Sequence, residues 1–240
     1  MWKNIDYDKC VSFINCHSQP AGGDVESAIR PAVTISRLTG AGGQTVADRL
    51  VEYLQTHVPA HCSWTIFDTN LMAKVLEDHH LSQEIAKHEP EDHKPLIQDQ
   101  MEEFLGLHPS TWNVVQQTAE TIWQLASMGY VILMSRGAAV VTASLKNVYH
   151  VRLVGSVERR TERVQEVYRL GPRAAAEFVK QHDKGRARYL KEHYHKDIED
   201  PTLYDLVVNT DRNSYDDVAR MVGDAVIHRF NLARPHFNTR

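Results

Sequence analysis

The segment from residue 32 to residue 45 constrains the fold of this chain more than any other. It reads Ala-Val-Thr-Ile-Ser-Arg-Leu-Thr-Gly-Ala-Gly-Gly-Gln-Thr, the pattern of a buried strand, a glycine-rich turn and the first turn of a helix. In that layout the backbone N–H groups of the turn point inward, and the positive end of the helix dipole adds to them. The segment therefore predicts a cradle for phosphate.

The spacing of the small residues overlaps the second half of the P-loop pattern, G-x-x-x-x-G-K-[ST]. The overlap is incomplete, because the first glycine of the pattern falls at Arg37 and the lysine position holds Gly43. We expect the turn to hold phosphate with a cation supplied from elsewhere; a tight turn that caps a helix without a ligand is the alternative. The predicted phosphate-binding residues are Arg37, Gly40, Ala41, Gly42, Gly43, Gln44 and Thr45, and the Thr45 hydroxyl is also the predicted Mg²⁺ ligand.

Composition narrows the class of protein. A chain of 240 residues is long enough for one sizeable α/β domain with an inserted subdomain. The net charge of −4 argues against a general nucleic-acid binder. No apolar run approaches the roughly 20 residues of a membrane span, and residues 1–8 lack a signal-peptide core. The three cysteines, Cys10, Cys16 and Cys62, lack metal-type spacing, so we expect reduced, packed thiols in a cytoplasmic protein.

Strand and helix patterns alternate along the chain. The predicted strands lie at 32–36, 63–67, 130–134, 149–154 and 203–210, and the principal helical patterns at 43–57, 110–128, 157–170, 173–194 and from 214 onwards. This alternation predicts an α/β fold with a mainly parallel sheet that is covered by helices on both faces.

The domain organisation follows from where this alternation begins and is interrupted. Residues 31–230 are predicted to form one domain, preceded by an N-terminal extension, residues 1–30, and followed by a loose tail, residues 231–240. Residues 69–109 are polar and broken by three prolines, which indicates a helical insertion that closes over a site. Residues 171–196 are charged and largely helical in pattern.

Four chemically interesting groups directly follow predicted strands. The glycine-rich turn follows the first strand, Asp68 the second, Ser135-Arg136-Gly137 the third and an arginine-rich helix the fourth. Because ligands in parallel sheets bind beyond the carboxyl ends of the strands, we expect these groups to meet in one site. Alternatives stay open for each: a helix N-cap for Asp68, a buried ion pair for Arg136 and a solvated face for the arginines.

These pieces, in this order, resemble the cytidylate kinase-like family, a branch of the nucleoside monophosphate kinases of P-loop fold. The resemblance runs from about Val33 to about Val226. It is carried by Thr34-Ile35-Ser36-Arg37 with Gly40-Ala41-Gly42-Gly43, by Ser135-Arg136-Gly137-Ala138, by residues 157–164, by residues 183–189 and by residues 204–210. It implies a three-layer P-loop NTPase fold with a five-stranded sheet, an acceptor-side insertion at 69–109 and a lid at 171–196.

The resemblance also implies a reaction. It implies ATP- and Mg²⁺-dependent phosphoryl transfer to a small acceptor, a nucleoside monophosphate. From charge and hydropathy we expect no nucleic-acid or membrane partner, and the N-terminal extension leaves a homodimer open. Asp68 and Arg136 are the predicted acceptor-binding residues. The predicted catalytic residues are Arg160, Arg163, Arg186 and Arg188, with Asp183 orienting Arg186 from three residues away.

Two departures from the family pattern limit this interpretation. Gly43 removes the lysine that bridges donor phosphates, and Gly137 stands where cytidylate kinases carry an aspartate that helps to read cytosine. Cytidine specificity is therefore not implied. The missing lysine and the unassigned extension keep a second hypothesis open, a nucleotide-binding regulatory protein without turnover. A scaffold that binds no nucleotide is the third.

Overall fold

The computed structural model describes residues 3–18, 29–58, 60, 62–68 and 109–232. The strands are β1 (Ala32–Arg37), β2 (Thr65–Asp68), β3 (Val131–Met134), β4 (Val148–Val154) and β5 (Leu206–Asn209). The helices, numbered over the described residues, are α1 (Lys3–Ser18), α2 (Gly43–His57), α3 (Pro109–Met128), α4 (Ala138–Val141), α5 (Val157–Tyr168), α6 (Pro172–Tyr194) and α7 (Tyr215–Arg229). Residues 69–108 of the predicted insertion and 233–240 of the predicted tail lie outside the described residues.

The sheet contains five strands in the order β2-β3-β1-β4-β5, and every pair of neighbours is parallel. This confirms the predicted parallel α/β architecture. The last strand is shorter than predicted. Asp200 accepts a hydrogen bond from the Thr202 N–H and begins a one-turn 3₁₀ helix, Pro201–Leu203, in place of the first strand residues.

Alternation along β1 gives the sheet two buried faces. Val33 and Ile35 belong to a core shared with α2 and α7, whereas Ala32 belongs to a second core shared with α1 and α3. On α2 the buried side chains of Val46, Leu50 and Leu54 recur at helical spacing, which directs one apolar stripe at the sheet. Helices thus cover both faces, and the chain forms three layers.

Helix α1 packs directly on the sheet. Its Phe13 and Ile14 are buried, and the Phe13 ring meets the Phe67 ring of β2 edge-on with centroids 5.2 Å apart. The expectation of reduced thiols is wrong for two of the cysteines, because Cys16 and Cys62 form a disulfide. They are 46 residues apart in sequence, but packing of α1 brings their Cα atoms to 5.8 Å.

None of the helices that the structure describes combines the length and the apolar character that crossing a bilayer requires.

Candidate functional site

The glycine-rich turn joins β1 to α2 through residues 38–42. Gly40 and Gly42 have φ angles of 82° and 78°, in the left-handed region that glycine adopts without strain. Gly42 is the N-cap residue of α2 and supplies no capping side chain. The N–H groups of the first helical turn can therefore meet an anion, aided by the helix dipole.

The same glycines also make room for the protein's own groups. A Cβ at Gly40 would overlap the backbone carbonyl of Arg160, and one at Gly42 would overlap the Tyr215 ring. A Cβ at Gly43 would lie 3.0 Å from the Arg37 side chain. The turn is thus enclosed by α5, by α7 and by an arginine that runs past the vacant lysine position. Sequence reasoning did not find Tyr215, because nothing in its own segment marks it.

Thr39 connects this turn to both neighbouring helices. Its N–H donates to Asp183 Oδ1 of α6 at 2.7 Å, and its carbonyl accepts from Arg160 of α5 at 3.0 Å. Its hydroxyl accepts a hydrogen bond from Arg186. Thr39 was not among the predicted residues. Through it, the predicted lid helix α6 is held against the turn.

The guanidinium of Arg160, a predicted catalytic residue, is held by protein groups in this structure. The residue is 5% exposed. Besides Thr39, it donates to the Gly155 carbonyl at 2.9 Å and to Asp183 Oδ2 at 2.6 Å. Arg160 therefore holds α5, the turn and α6 together, and Asp183 orients this arginine as well as Arg186, from which it is 3.8 Å away.

Arg163 and Thr45 meet at the start of α2. The Arg163 Nη2 donates to Thr45 Oγ1 at 2.7 Å, and its guanidinium lies 4.3 Å over the Tyr215 ring. A cation that is bound at this hydroxyl opposes Mg²⁺ coordination there. The assignment of Thr45 as a Mg²⁺ ligand stays a prediction, and the described residues contain no cluster of three or more His, Cys, Asp or Glu suited to a metal. Gln44 faces away, toward Asp48 at 3.0 Å.

Arg37 and Arg186 lie next to each other beside the turn. Arg37 donates to the Met134 carbonyl at 2.9 Å. Burial, then the charge of Arg186, lower the pKa of Arg37 to about 10, and Asp68 at the end of β2 opposes the shift. Burial likewise lowers the pKa of Arg186, against the opposing charge of Asp183. Because a guanidinium group keeps its charge at neutral pH, the two repel each other, and a bound anion would relieve this repulsion.

A pocket opens beside these arginines, lined in part by β1 and by the residues that follow β3. Its polar lining comprises Thr34, Ser36, Ser135, Tyr204, Arg37, Arg136 and Arg186. None of the described residues that line it is a carboxylate. Arg136 stacks 4.6 Å over the Tyr189 ring of α6, which fixes its position at the rim. We call this cavity the arginine pocket, and its charge suits a small anion.

Arg188 lies apart from the other predicted residues. It faces solvent on α6, with 69% of its side chain exposed, and pairs with Glu192 at 3.7 Å. Asp68 does not line the arginine pocket, although it lies close enough to Arg37 to oppose the lowering of the Arg37 pKa. The structure therefore brings Arg37, Arg136 and Arg186 together and separates Arg188 from them.

Sequence reasoning also missed Arg152. This residue of β4 is 2% exposed and forms an ion pair with Glu199. It donates to Ser36 Oγ at 2.9 Å beneath the arginine pocket. One arginine within the apolar pattern of β4 was the available signal, since an arginine is rarely buried without a specific partner.

Gly137 provides a stability test of the turn after β3. Its φ is 79°, and a Cβ would lie 2.6 Å from the Tyr194 ring. We expect Gly137→Ala to lower the free energy of unfolding by about 2 kcal/mol through backbone strain and overlap. Gly185→Ala is the matched control. This helical glycine has open space around it, so the substitution should raise the free energy of unfolding by about 0.5–1 kcal/mol. Equal urea midpoints for the two variants would contradict the structure. An aspartate at position 137, as in cytidylate kinases, would have the same backbone strain and the same overlap with the Tyr194 ring.

Comparisons with known proteins agree with this architecture. A family model described as the cytidylate kinase-like family matches residues 32–212. An uncharacterized protein from Eubacterium ventriosum ATCC 27560 superimposes with a TM-score of 0.60 at 21% identity, covering 84% of this chain and 98% of that chain. This likeness supports the fold alone.

Two further structures give lower scores. Shikimate kinase from Bacteroides thetaiotaomicron has a TM-score of 0.46 at 10% identity, covering 82% of this chain and 98% of its own. A gluconokinase from Sinorhizobium meliloti 1021 has a TM-score of 0.46 at 14% identity, covering 85% and 96%. No curated protein matches the chain.

Proposed function

This chain belongs to the cytidylate kinase-like family, and on that premise we propose that it transfers the γ-phosphoryl group of ATP to a small anionic acceptor, a nucleoside monophosphate. One observation carries the proposal. Arg37 and Arg186 line the arginine pocket, and they also line the cleft beside Leu38, where the glycine-rich turn begins. These two arginines thus lie where a donor on the turn would meet an acceptor in the pocket, although the carboxylates of Asp183 and Glu199 also line the cleft.

In this reaction the donor phosphates bind the N–H groups of Gly40 and Gly42 and those of the first turn of α2. The other N–H groups of the turn, at positions 38, 39 and 41, donate to protein oxygens. Arg186 and Arg37 take over the charge of the absent lysine. Phosphoryl transfer depends on positioning and on positive charge around the moving group, so two fixed guanidinium groups can stabilise its transition state. The bond between Asp183 and the Thr39 N–H holds α6 over the turn and limits access of water.

Magnesium is proposed to enter with the donor. Mg²⁺ requires only one or two carboxylates when phosphates and waters supply its other ligands, and Asp68 at the end of β2 is the carboxylate we assign to it. The ion would neutralise charge on the donor phosphates. Thr45 is left out of this assignment because its hydroxyl oxygen already accepts from Arg163.

The test is a coupled assay of ADP release against all ribo- and deoxyribonucleoside monophosphates. We expect at least one acceptor to raise ADP release well above the rate with ATP and Mg²⁺ alone. No preference for cytidine is expected, because Gly137 and the Tyr194 ring occupy the region of the missing aspartate. Absence of acceptor-dependent ADP release across the panel would contradict the proposal.

A nucleotide-binding regulator is the second candidate, and one observation favours it. The Asp183 carboxylate already holds a turn amide, that of Thr39, where a donor phosphate would otherwise compete for it. Calorimetry distinguishes the candidates. Tight binding of Mg-ATP together with a silent acceptor panel would support the regulator, whereas acceptor-dependent turnover would exclude it.

A further inference from the structure

One face of the sheet changes from apolar to polar along its length. Ala32 of β1 and Val148 of β4 pair in register and lie in an apolar core. Thr34 pairs with His150 and Ser36 with Arg152 further along the same two strands. Successive residues on one face are two apart, so all these side chains share a face.

These polar pairs are hydrogen-bonded to each other. Thr34 Oγ1 lies 2.9 Å from His150 Nδ1, and Arg152 Nη1 donates to Ser36 Oγ at 2.9 Å. Thr34 is 1% exposed and Arg152 is 2% exposed. We call these four side chains, Thr34, Ser36, His150 and Arg152, the polar floor. Apolar side chains would cover a sheet face at lower cost in desolvation, so the polar floor indicates a ligand that binds to it.

The floor lies directly beneath the arginine pocket, since Thr34 and Ser36 are among the residues that line it. A second terminal nitrogen of Arg152, Nη2, is bound to Glu199. Burial is the main cause of the lowered pKa of Arg186 in the pocket, and the charge of Arg152 contributes to it. Arg152 therefore affects the pocket electrostatically, and its hydrogen bond to the pocket lining is the one to Ser36.

The hydrogen bonds around Ser36 determine what its hydroxyl can offer. A guanidinium only donates, so Ser36 Oγ must accept from Arg152 and keep its own proton for another partner. Tyr204 Oη is 3.3 Å away, long for a bond between two hydroxyls, and the tyrosine proton is directed to the Ile198 carbonyl at 3.0 Å. An oxyanion in the pocket would be a better acceptor for the Ser36 proton.

We propose that Ser36 donates its O–H to an oxyanion of the acceptor bound in the arginine pocket, and that Arg152 is the positioning residue that fixes Ser36 for this task. Arg37, Arg136 and Arg186 supply the charge around the same oxyanion. The identification of the oxyanion as part of a phosphoryl acceptor rests on the proposed function. The assignment of Ser36 as a hydrogen-bond donor to an anion does not depend on that function.

The first experiment measures anion binding without turnover. Inorganic phosphate and acetate are titrated calorimetrically into the full chain, with and without saturating Mg-ADP to fill the donor turn. We expect Ser36→Ala to weaken binding in the presence of Mg-ADP about tenfold, the effect of losing one hydrogen bond to a charged group. The anion whose affinity falls identifies the oxyanion as phosphate or carboxylate.

Ser127→Ala is the matched control. This substitution also removes one hydroxyl group, but the Ser127 O–H donates to the Trp123 carbonyl within α3, and Ser127 does not line the pocket. Its anion affinity should equal that of the wild type. Equal affinities for Ser36→Ala and the wild type, with both anions, would overturn the proposal.

The second experiment tests Arg152 by a double-mutant cycle. Arg152→Lys keeps the positive charge but loses the fork that reaches Ser36 and Glu199 together. We expect it to weaken anion binding as Ser36→Ala does, and to add little in the double variant because both changes remove one interaction. Fully additive losses would overturn the role of Arg152. Should Arg152→Lys fail to fold, Glu199→Gln takes its place in the cycle.

Turnover separates this inference from the proposed function. With an acceptor found in the panel, Ser36→Ala should raise its KM about tenfold and leave kcat within about twofold. An unchanged KM overturns the role of Ser36 while phosphoryl transfer stands. Loss of anion affinity in Ser36→Ala without turnover in the wild type supports the oxyanion site and contradicts the kinase.

Discussion

Replacing Arg186 by alanine is expected to lower kcat for phosphoryl transfer about 100-fold, the loss typical of removing one fixed donor of positive charge. The reason is its position. Arg186 donates to the Thr39 hydroxyl on the glycine-rich turn and also lines the arginine pocket, so its charge lies between donor and acceptor. Its side chain is 23% exposed, and a group this enclosed acts through a lower dielectric than water.

The measurement is steady-state ADP release with the acceptor identified in the panel, together with a thermal melt to show that the variant is folded. Arg188→Ala is the control, since it removes an arginine of the same helix that faces solvent and pairs with Glu192. It should retain kcat within about twofold, because exposed ion pairs contribute little. Equal rates for the Arg186 and Arg188 variants would remove Arg186 from the mechanism.

Replacing Arg160 by methionine is expected to reduce the free energy of unfolding by about 3 kcal/mol, the low end of the range for breaking a buried ion pair by removing one partner. Arg160 is 5% exposed and bonds to Thr39, Gly155 and Asp183, so methionine leaves two carbonyls and a carboxylate without this donor. Methionine fills most of the volume, which limits the effect of a cavity.

Urea unfolding measures this change, with the slope m checked for a two-state transition. Arg159→Met is the matched control. Arg159 precedes Arg160 on α5, is 73% exposed and lies 3.8 Å from Glu162, so this variant should change the free energy of unfolding by no more than about 0.5 kcal/mol. If Arg160→Met unfolds like Arg159→Met but loses turnover, the sequence-based assignment of Arg160 to the lid is correct and the structural role is wrong.

Local patterns predicted the architecture well. The buried strand predicted at residues 32–36 and the helix predicted at residues 43–57 follow from local patterns, and both appear as expected. The resemblance to the cytidylate kinase-like family is confirmed by the match over residues 32–212. The assignments of individual site residues remain predictions, and the experiments on Arg186, Ser36 and Arg152 are designed to test them.

The functions of the arginines could not be read in the same way. Arg160, Arg163, Arg186 and Arg188 look alike in the sequence, yet the first bonds to backbone carbonyls, the second to Thr45, the third to Thr39 and the fourth pairs with Glu192 on the surface. Arg152 lies in an apolar strand pattern and was missed altogether. Each outcome depends on partners brought together by helix packing, not on spacing along the chain.

By itself, the sequence determined the alternating strands and helices, the glycine-rich turn and the family, because these depend on residues that are neighbours in the chain. Only the tertiary structure decided which cations face the pocket, that Asp183 holds the Thr39 amide and that Cys16 meets Cys62. Those contacts join residues 46 to 147 positions apart. The packing of α1, α5 and α6 creates them, and no local pattern encodes such packing.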